Sequence, residues 1–494
     1  MEINTSSTPA AGTGADAVNS LSVSPMVPLC VDLDGTLVAT DTLFESLLVL
    51  LRREPWRLFQ LPFWFLQGRS RFKQELSRRA AVTTSRLPYR GKLLEYLRLE
   101  KAGGRTLILA TAANEQLAKA VADHLGIFDG VIASTRIHNL KGSNKAASLV
   151  SEFGERGFDY VGDTEADMVV WSVSRRALVV GPASLADRVA HVVQVEEVFD
   201  EPTPGLREWV KALRLSQWVK NILVFTPLLA AHKLGDIGLV LQALVAFLAF
   251  SLCASAVYII NDLLDLEADR AHPRKSMRPF ASGRLSIASG LIVAPILLVV
   301  AFLLSARLPP AFAATLALYF AITLAYSLRL KRTTVLDVLL LAGLYTLRLI
   351  AGGAAVSVRL SFWLLAFSMF LFLSLALVKR VAELQSLAPD AGDSPVGRSY
   401  RRDDIPVLLA LGTASGYTAV LVFALYINSS ASELLYRRTE ALWLLCPLFL
   451  FWITRVWLVT HRGTMHDDPI VFAFRDSISR WLAVAAAAML WLAI

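Results

Sequence analysis

The sequence predicts two fold classes in one chain. An α/β Rossmann-like domain with a helical cap comes first, and an all-α polytopic membrane bundle of about nine transmembrane helices follows. Three observations lead there. Of 494 residues, 55% are apolar and only 18% charged, against about 25% charged in an average soluble chain. The apolar residues fall in short runs before about residue 200 and in long ones after about residue 215. The net charge of +8 collects in the loops on one side of the expected spans. The same arithmetic excludes a disordered or collagen-like chain. Cys30, Cys253 and Cys446 lie far apart, so neither a disulfide scaffold nor a Cys-based zinc site is expected. No basic tail and no basic–aromatic strip points to nucleic acid.

Residues 1–26 are rich in Ala, Ser, Thr and Gly, carry Glu2 and Asp16, and lack a basic n-region. They read as a disordered tail and not as a secretory signal. Over 27–198, the runs PLCVDLD, TLILATA (106–112), GVIAS (130–134), FDYVGD (158–163) and ALVVG (177–181) alternate with amphipathic stretches. That rhythm predicts a parallel sheet with crossover helices. A helical insert at 43–100 interrupts it and is the expected cap. Within it PWRLFQLPFWFLQG (55–68) is unusually aromatic; it either packs on its own domain or meets lipid or the membrane half. Residues 199–214, with Pro202, Pro204 and Gly205, read as a linker.

Nine apolar segments follow in 215–494: 217–231, 238–260, 288–306, 309–327, 335–356, 361–378, 405–427, 440–460 and 478–494. Most approach the roughly 20 residues that cross a bilayer. With the N-terminal domain cytoplasmic and the spans alternating, the loops on its side hold 15 Lys and Arg and the opposite loops hold 5. This asymmetry favours a multi-pass protein of the cell (inner) membrane with a cytoplasmic N-terminal domain.

VDLDGTL places Asp32 and Asp34 at the end of a predicted strand, with Gly35 permitting a sharp exit. Thr111 ends the next run, Lys141 and Lys145 follow in LKGSNKA, and Asp163 and Asp167 sit in GDTEAD after another strand. Active sites of open α/β sheets lie at such strand ends. A carboxylate can take a phosphoryl group, provided that a cation and a lysine offset its charge. A second Asp two residues on can protonate the leaving alcohol.

These motifs resemble those of the haloacid dehalogenase-like phosphatases. The resemblance implies Asp32 as nucleophile, Asp34 as acid/base, Thr111 and Lys145 on the phosphate, and Mg²⁺ among Asp32, Asp34, Asp163 and Asp167. Lys145 is preferred to Lys141 because the family's lysine usually opens a helix.

In the second half, Asp262, Asp265 and Asp269 are spaced i, i+3, i+7 in INDLLDLEADRAHPRKSMRPFASG and share one helical face. Three such carboxylates call for a cation, and Mg²⁺ on a substrate diphosphate is the usual solution. Arg274, Lys275 and Arg278 come next. Tyr326, Lys331 and Asp337 form a further cluster, and Arg348 inside a span needs a partner, for which Asp337 or a bound anion is the natural choice. Asp467 and Asp468 either cap the ninth span or approach substrate.

NDxxDxxxD, the basic loop, YSxxLK and LDV resemble the UbiA superfamily of intramembrane prenyltransferases. QWVKN (217–221) and HPRKSMRP (272–279) look most like its decaprenyl-phosphate phosphoribosyltransferase branch. The resemblance implies Asp262 and Asp265 as catalytic and Mg²⁺ among Asn261, Asp262, Asp265, Asp269 and Asp337. It implies Lys275, Arg278, Tyr326, Lys331 and Arg348 as phosphate contacts. The expected function is transfer of 5-phosphoribose from phosphoribosyl pyrophosphate to a polyprenyl phosphate in the bilayer, with the fused phosphatase removing the 5-phosphate. The alternatives are transfer of an isoprenoid from an allylic diphosphate to an aromatic or other small acceptor, and a transporter with a regulatory domain.

Overall fold

The computed structural model describes residues 26–493 except 68–71, 73–74, 77, 81, 136–138, 201–203, 388–398 and 466–467. Residues 1–25 of the expected tail and Asp467 lie outside the described residues. The chain divides into two compact units, one of 1–37 with 89–202 and one of 38–88 with 203–494.

The first unit holds a six-stranded, all-parallel sheet in the order β3-β2-β1-β4-β5-β6. β1 is Leu29–Val31, β2 Leu107–Asn114, β3 Gly130–Ser134, β4 Asp159–Gly162, β5 Ala177–Val180 and β6 Val195–Phe199. Each of the first five matches an expected run. β6 matches none of the expected runs, because VEEVF at a sheet edge carries no continuous apolar stretch. The central strands are buried throughout, as in parallel sheets with helices on both faces. Phe158, Tyr160, Trp171, Leu149 and Val179 make one core. The strand order reverses between β1 and β4, which are neighbours in the sheet. A crevice opens at that reversal, beyond the carboxyl ends of the strands.

Among the described residues, the second unit contains seven helices long and apolar enough to cross a membrane: Ile237–Leu264, Ile287–Ser305, Pro310–Leu328, Leu336–Ala355, Phe362–Gln385, Arg402–Ile427 and Thr439–His461. These match seven of the nine expected spans. The ninth, Ser477–Ala493, is a shorter apolar helix of 17 residues. The first differs in kind. Residues Leu215–Phe225 form a 3₁₀ helix, followed by a short α-helix at Thr226–Ala230. This segment runs back along Ile237–Leu264: Arg214 pairs with Asp262, Trp218 bonds Ser255 at 3.0 Å and Asn221 bonds Ser251 at 3.0 Å. At about 2.0 Å rise per residue, eleven 3₁₀ residues cover roughly 22 Å. The chain thus returns along about half of its neighbour, whose 28 residues span about 42 Å, without an α-helical span. Non-α backbone at this depth is tolerated because surrounding protein satisfies it.

Two boundaries also differ from expectation. Residues 43–88 of the expected cap belong to the helical unit, while the Gly91–Ala102 helix belongs to the α/β unit. The expected linker contains the helix Leu206–Leu213, whose Ala212 is buried against Ile259, Leu263 and Phe280 with Trp209 beside it.

Candidate active sites

In the α/β unit, Asp32 leaves β1, and its main-chain N–H donates to the carbonyl of Val161 at 3.1 Å. Asp163 and Asp167 follow β4, across the strand reversal. Gly35 has φ +79°, and a Cβ there would stand 2.2 Å from Asp163 Oδ2; only glycine permits this approach. Carboxylate oxygens of Asp32, Asp163 and Asp167 all lie within 4.8 Å of one another. Lys145 lies in the first turn of the Ser143–Phe153 helix and is buried, its Nζ 2.9 Å from Asp32 Oδ1. It also donates to the Tyr160 hydroxyl at 2.9 Å, which donates to Asp167 Oδ1 at 2.9 Å. Lys141 is exposed, so the geometry selects Lys145. Thr111 is fully buried in β2, and Thr36, unmarked in the sequence reading, donates to Asp163 Oδ1 at 3.0 Å. Asp34, two residues after Asp32, is half-buried.

Burial pushes Asp32 up to about 6, opposed by Lys145 and reinforced by Asp167. Burial likewise pushes Asp163 to about 7, with Asp167 and Asp32 adding to it. Three packed carboxylates with one lysine are short of positive charge. The oxygen donors present fit a hard divalent cation such as Mg²⁺.

In the helical unit, the Ile237–Leu264 helix stops at Asp265 and restarts at Leu266–Arg270. The single continuous helix assumed from the spacing is therefore broken. Asp262 and Asp269 are buried and share one guanidinium nitrogen, Arg278 Nη1, at 3.0 and 2.7 Å. Arg214 pairs with Asp262 from the other side. Asp265 turns to Lys331 Nζ at 2.9 Å. The side-chain oxygen of Asn261 is buried with no hydrogen-bond partner among the described residues. An orphaned amide oxygen beside two acids fits a cation ligand. The three acids do not, however, draw together as those of the α/β unit do. Lys275 is exposed on the loop beside them.

Two expectations are corrected. Arg348 does not pair with Asp337. Both lie on Leu336–Ala355, eleven residues apart, hence about 16 Å along the axis. Arg348 instead donates to Asn221 Oδ1 at 2.9 Å, the Leu344 carbonyl at 2.6 Å and the Tyr319 hydroxyl at 3.2 Å. The rings of Phe250, Tyr319 and Tyr345 surround it. Asp337, expected as a metal ligand, is taken up by Arg380 at 2.8 Å and by the Tyr400 hydroxyl at 2.9 Å. Tyr326 lies beside this pair, against Arg380.

A third cluster escaped the sequence reading. Lys220 Nζ reaches Asp468 at 2.6 Å, Lys379 Nζ the same oxygen at 3.3 Å, and the Tyr345 hydroxyl lies at 3.4 Å from the carboxylate. Asp468 also caps the Pro469–Arg475 helix through Ile470 N–H, whereas Asp476 caps the last helix. The available signal was a lysine inside an apolar run, QWVKNILVF. An apolar cavity of about 250 Å³, lined by Trp363, Phe367, Phe423 and Phe449 among others, contains none of these acids.

Comparison with known proteins agrees with both halves. The UbiA prenyltransferase family matches residues 222–478 and the haloacid dehalogenase-like hydrolases match 29–169. Protein y4nM of Sinorhizobium fredii is 37% identical over 465 residues, 93% of this chain and 90% of that one. Nodulation protein NoeC of Azorhizobium caulinodans is 33% identical over 273 residues, 55% of this chain and 88% of its own. Decaprenyl-phosphate phosphoribosyltransferase of Mycolicibacterium smegmatis is 34% identical over 286 residues, 56% of this chain and 89% of its own. With more than half its length matched, this chain belongs to the UbiA prenyltransferase family and carries a haloacid dehalogenase-like domain ahead of its membrane helices.

Proposed function

We propose that this chain is a bifunctional membrane enzyme that moves 5-phosphoribose from phosphoribosyl pyrophosphate to a polyprenyl phosphate and then removes the 5-phosphate. The observation that supports transfer best is the pairing of Asp262 and Asp269 on one arginine, with Arg214, Lys331 and the orphaned Asn261 oxygen around them. A mycobacterial relative is named for that transfer. A phosphate oxygen of the lipid attacks C1 of the ribose, and the bond from C1 to the pyrophosphate oxygen breaks. Arg214, Arg278 and Lys331 take up the charge that develops on the leaving group, which fixed cations do without reorganising. Asn261, Asp262, Asp265 and Asp269 would hold Mg²⁺, which supplies further positive charge to the diphosphate. Arg348 and Lys275 remain phosphate contacts in this reading, Arg348 from within its aromatic cage.

In the α/β domain the Asp32 carboxylate attacks the 5-phosphorus and the ribose oxygen leaves. Asp34 protonates that oxygen and later takes a proton from the water that attacks the phosphorus, breaking its bond to Asp32 and releasing inorganic phosphate. Lys145 and Thr111 hold the phosphoryl oxygens, and Asp32, Asp34, Asp163 and Asp167 would hold Mg²⁺. The side bearing Asp262 faces the cytoplasm of the cell membrane in this reading, as the 15-to-5 loop asymmetry favours.

The test is the purified full chain with radiolabelled phosphoribosyl pyrophosphate, polyprenyl phosphate and Mg²⁺, its lipid product analysed by mass. Wild type should yield polyprenyl-phosphoryl ribose. Asp32→Asn should yield the same lipid heavier by one phosphate, and Asp262→Ala should yield neither. An identical product from Asp32→Asn would sink the second step. Labelled product from an allylic diphosphate but not from phosphoribosyl pyrophosphate would sink the first.

A further inference from the structure

Residues 42–66 of the helical unit combine a firmly seated helix with a face left uncovered among the described residues. In the helix Thr42–Arg53, Leu48 and Phe44 pack against Ile259, Leu263, Phe280 and Ile287. Glu45 is buried and accepts from two guanidinium nitrogens of Arg270, at 2.6 and 3.1 Å. Arg270 also donates to the Ala281 carbonyl at 3.0 Å. These contacts lie where the Ile237–Leu264 helix ends and the Ile287–Ser305 helix begins. The Ile237–Leu264 helix, 28 residues or about 42 Å long, exceeds the roughly 30 Å hydrocarbon core, so a helix seated at its end falls in the headgroup region.

Beyond it the chain turns through a 3₁₀ helix, Pro55–Gln60, into the helix Leu61–Leu66. A small core of Leu50, Trp64, Leu76 and Ala80 holds this turn in place, with Arg79 over the Trp64 ring at 5.2 Å. That core leaves Trp56, Phe59, Phe63, Phe65 and Leu66 outward, at 61, 86, 63, 55 and 84% exposure. Single exposed apolar residues need no explanation, but five on one short turn do.

We propose that this turn is an interfacial anchor whose aromatic side chains enter the lipid surface at the Asp262 end of the bundle. Three observations single out lipid as the occupant. The turn is continuous with a helix docked on span ends. One of those spans presents Ile292, Ile296 and Leu303 outward, so the anchor borders a lipid-facing wall. Arg52 and Arg53 are exposed beside the aromatic face, which is the composition of a segment lying in an anionic headgroup layer. The insert expected to screen the phosphatase site is then tied to the membrane, at the surface where a polyprenyl-linked substrate is held. The anchor requires only that these helices cross a bilayer, and it is independent of donor and acceptor.

The three native cysteines are buried, so an added surface cysteine takes a fluorescent label. The full chain carrying Phe59→Cys or Leu66→Cys would be reconstituted in nanodiscs containing phosphatidylglycerol, with Glu155→Cys as the solvent control. Spin-labelled lipids should quench the labels at 59 and 66 several-fold more than the label at 155, and iodide should quench them several-fold less. Iodide reaching all three sites equally, without quenching by lipid, would overturn the anchor. Shielding from both quenchers would also overturn it, because a protein surface would then cover the turn. Arg52→Glu with Arg53→Glu should weaken quenching by the lipid probes; unchanged quenching would refute the role of anionic headgroups. A chain that fails the transfer assay yet shows lipid quenching would leave the anchor standing.

Discussion

Burial separates two kinds of acid in the helical unit. Asp337 and Arg380 face each other with side chains 1% exposed or less. Asp265 and Lys331 keep side chains 30 and 20% exposed. Removing one member of a buried pair strands the other charge and costs about 3–5 kcal/mol. Losing a partly solvated pair costs under about 1 kcal/mol. Asp337→Ala should therefore lower the thermal midpoint strongly in detergent, while Asp265→Ala should keep its fold and lose transfer activity. Melting curves and the lipid-product assay on both variants check this contrast. In the α/β unit the linkage runs the other way from an ordinary salt bridge. Asp32 and Asp163 have folded-state pKa values of about 6 and about 7 against an unfolded 3.8. The folded state thus holds more protons than the unfolded one between about pH 4 and 7, and stability falls as pH rises through that window. With divalent cations chelated, amide exchange in β1 and β4, corrected for its intrinsic rate, should show less protection at neutral pH than in mild acid. Added Mg²⁺ should restore the protection. At this scale the sequence exposed Asp32, Asp163, Asp167, Asp262 and Asp269, because each belongs to a compact motif. It hid Arg380, Lys220 and Lys379, because their partners lie one or more spans away.

At the scale of elements, the Leu215–Phe225 segment shows how packing overrides pattern. Its apolar run reads as a span, yet it adopts a 3₁₀ path against Leu336–Ala355. Gly352 explains the choice, since a Cβ there would stand 2.0 Å from the Val224 carbonyl oxygen. Backbone meets backbone at that point, and the narrower helix fits. The same path carries Asn221 to Arg348 and Lys220 to Asp468. Gly352→Ala should cost about 1–3 kcal/mol by overpacking and should impair activity by shifting both side chains. Gly343→Ala, on the same helix with nothing within 4 Å of its Cβ, is the control and should match wild type in melting temperature and turnover. The strands, by contrast, needed no tertiary information: short runs between amphipathic stretches located five of the six. β6 failed the test because an edge strand exposes half its residues.

Across the whole molecule, the insert at 38–88 changes allegiance. It is threaded through the phosphatase sequence but packs within the helical unit, with Glu45 and Arg270 joined over 225 positions. Glu45→Ala should leave Arg270 without its buried partner and loosen the docked helix. Hydrogen exchange in Thr42–Arg53 should then accelerate while exchange in β1 to β5 stays unchanged. Acceleration in both regions would show that the insert's seat also supports the sheet.

By itself the sequence determined that a parallel α/β domain precedes a membrane bundle, and it singled out the acids that the fold gathers at the strand ends of the first. Periodicity and compact motifs are local properties, readable within a few turns of chain. Only the tertiary structure decided which base answers which acid, where helix gives way to 3₁₀, and to which body the insert belongs. Those outcomes depend on contacts between distant segments, on the space one glycine leaves for a neighbouring backbone, and on the cost of stranding a buried charge.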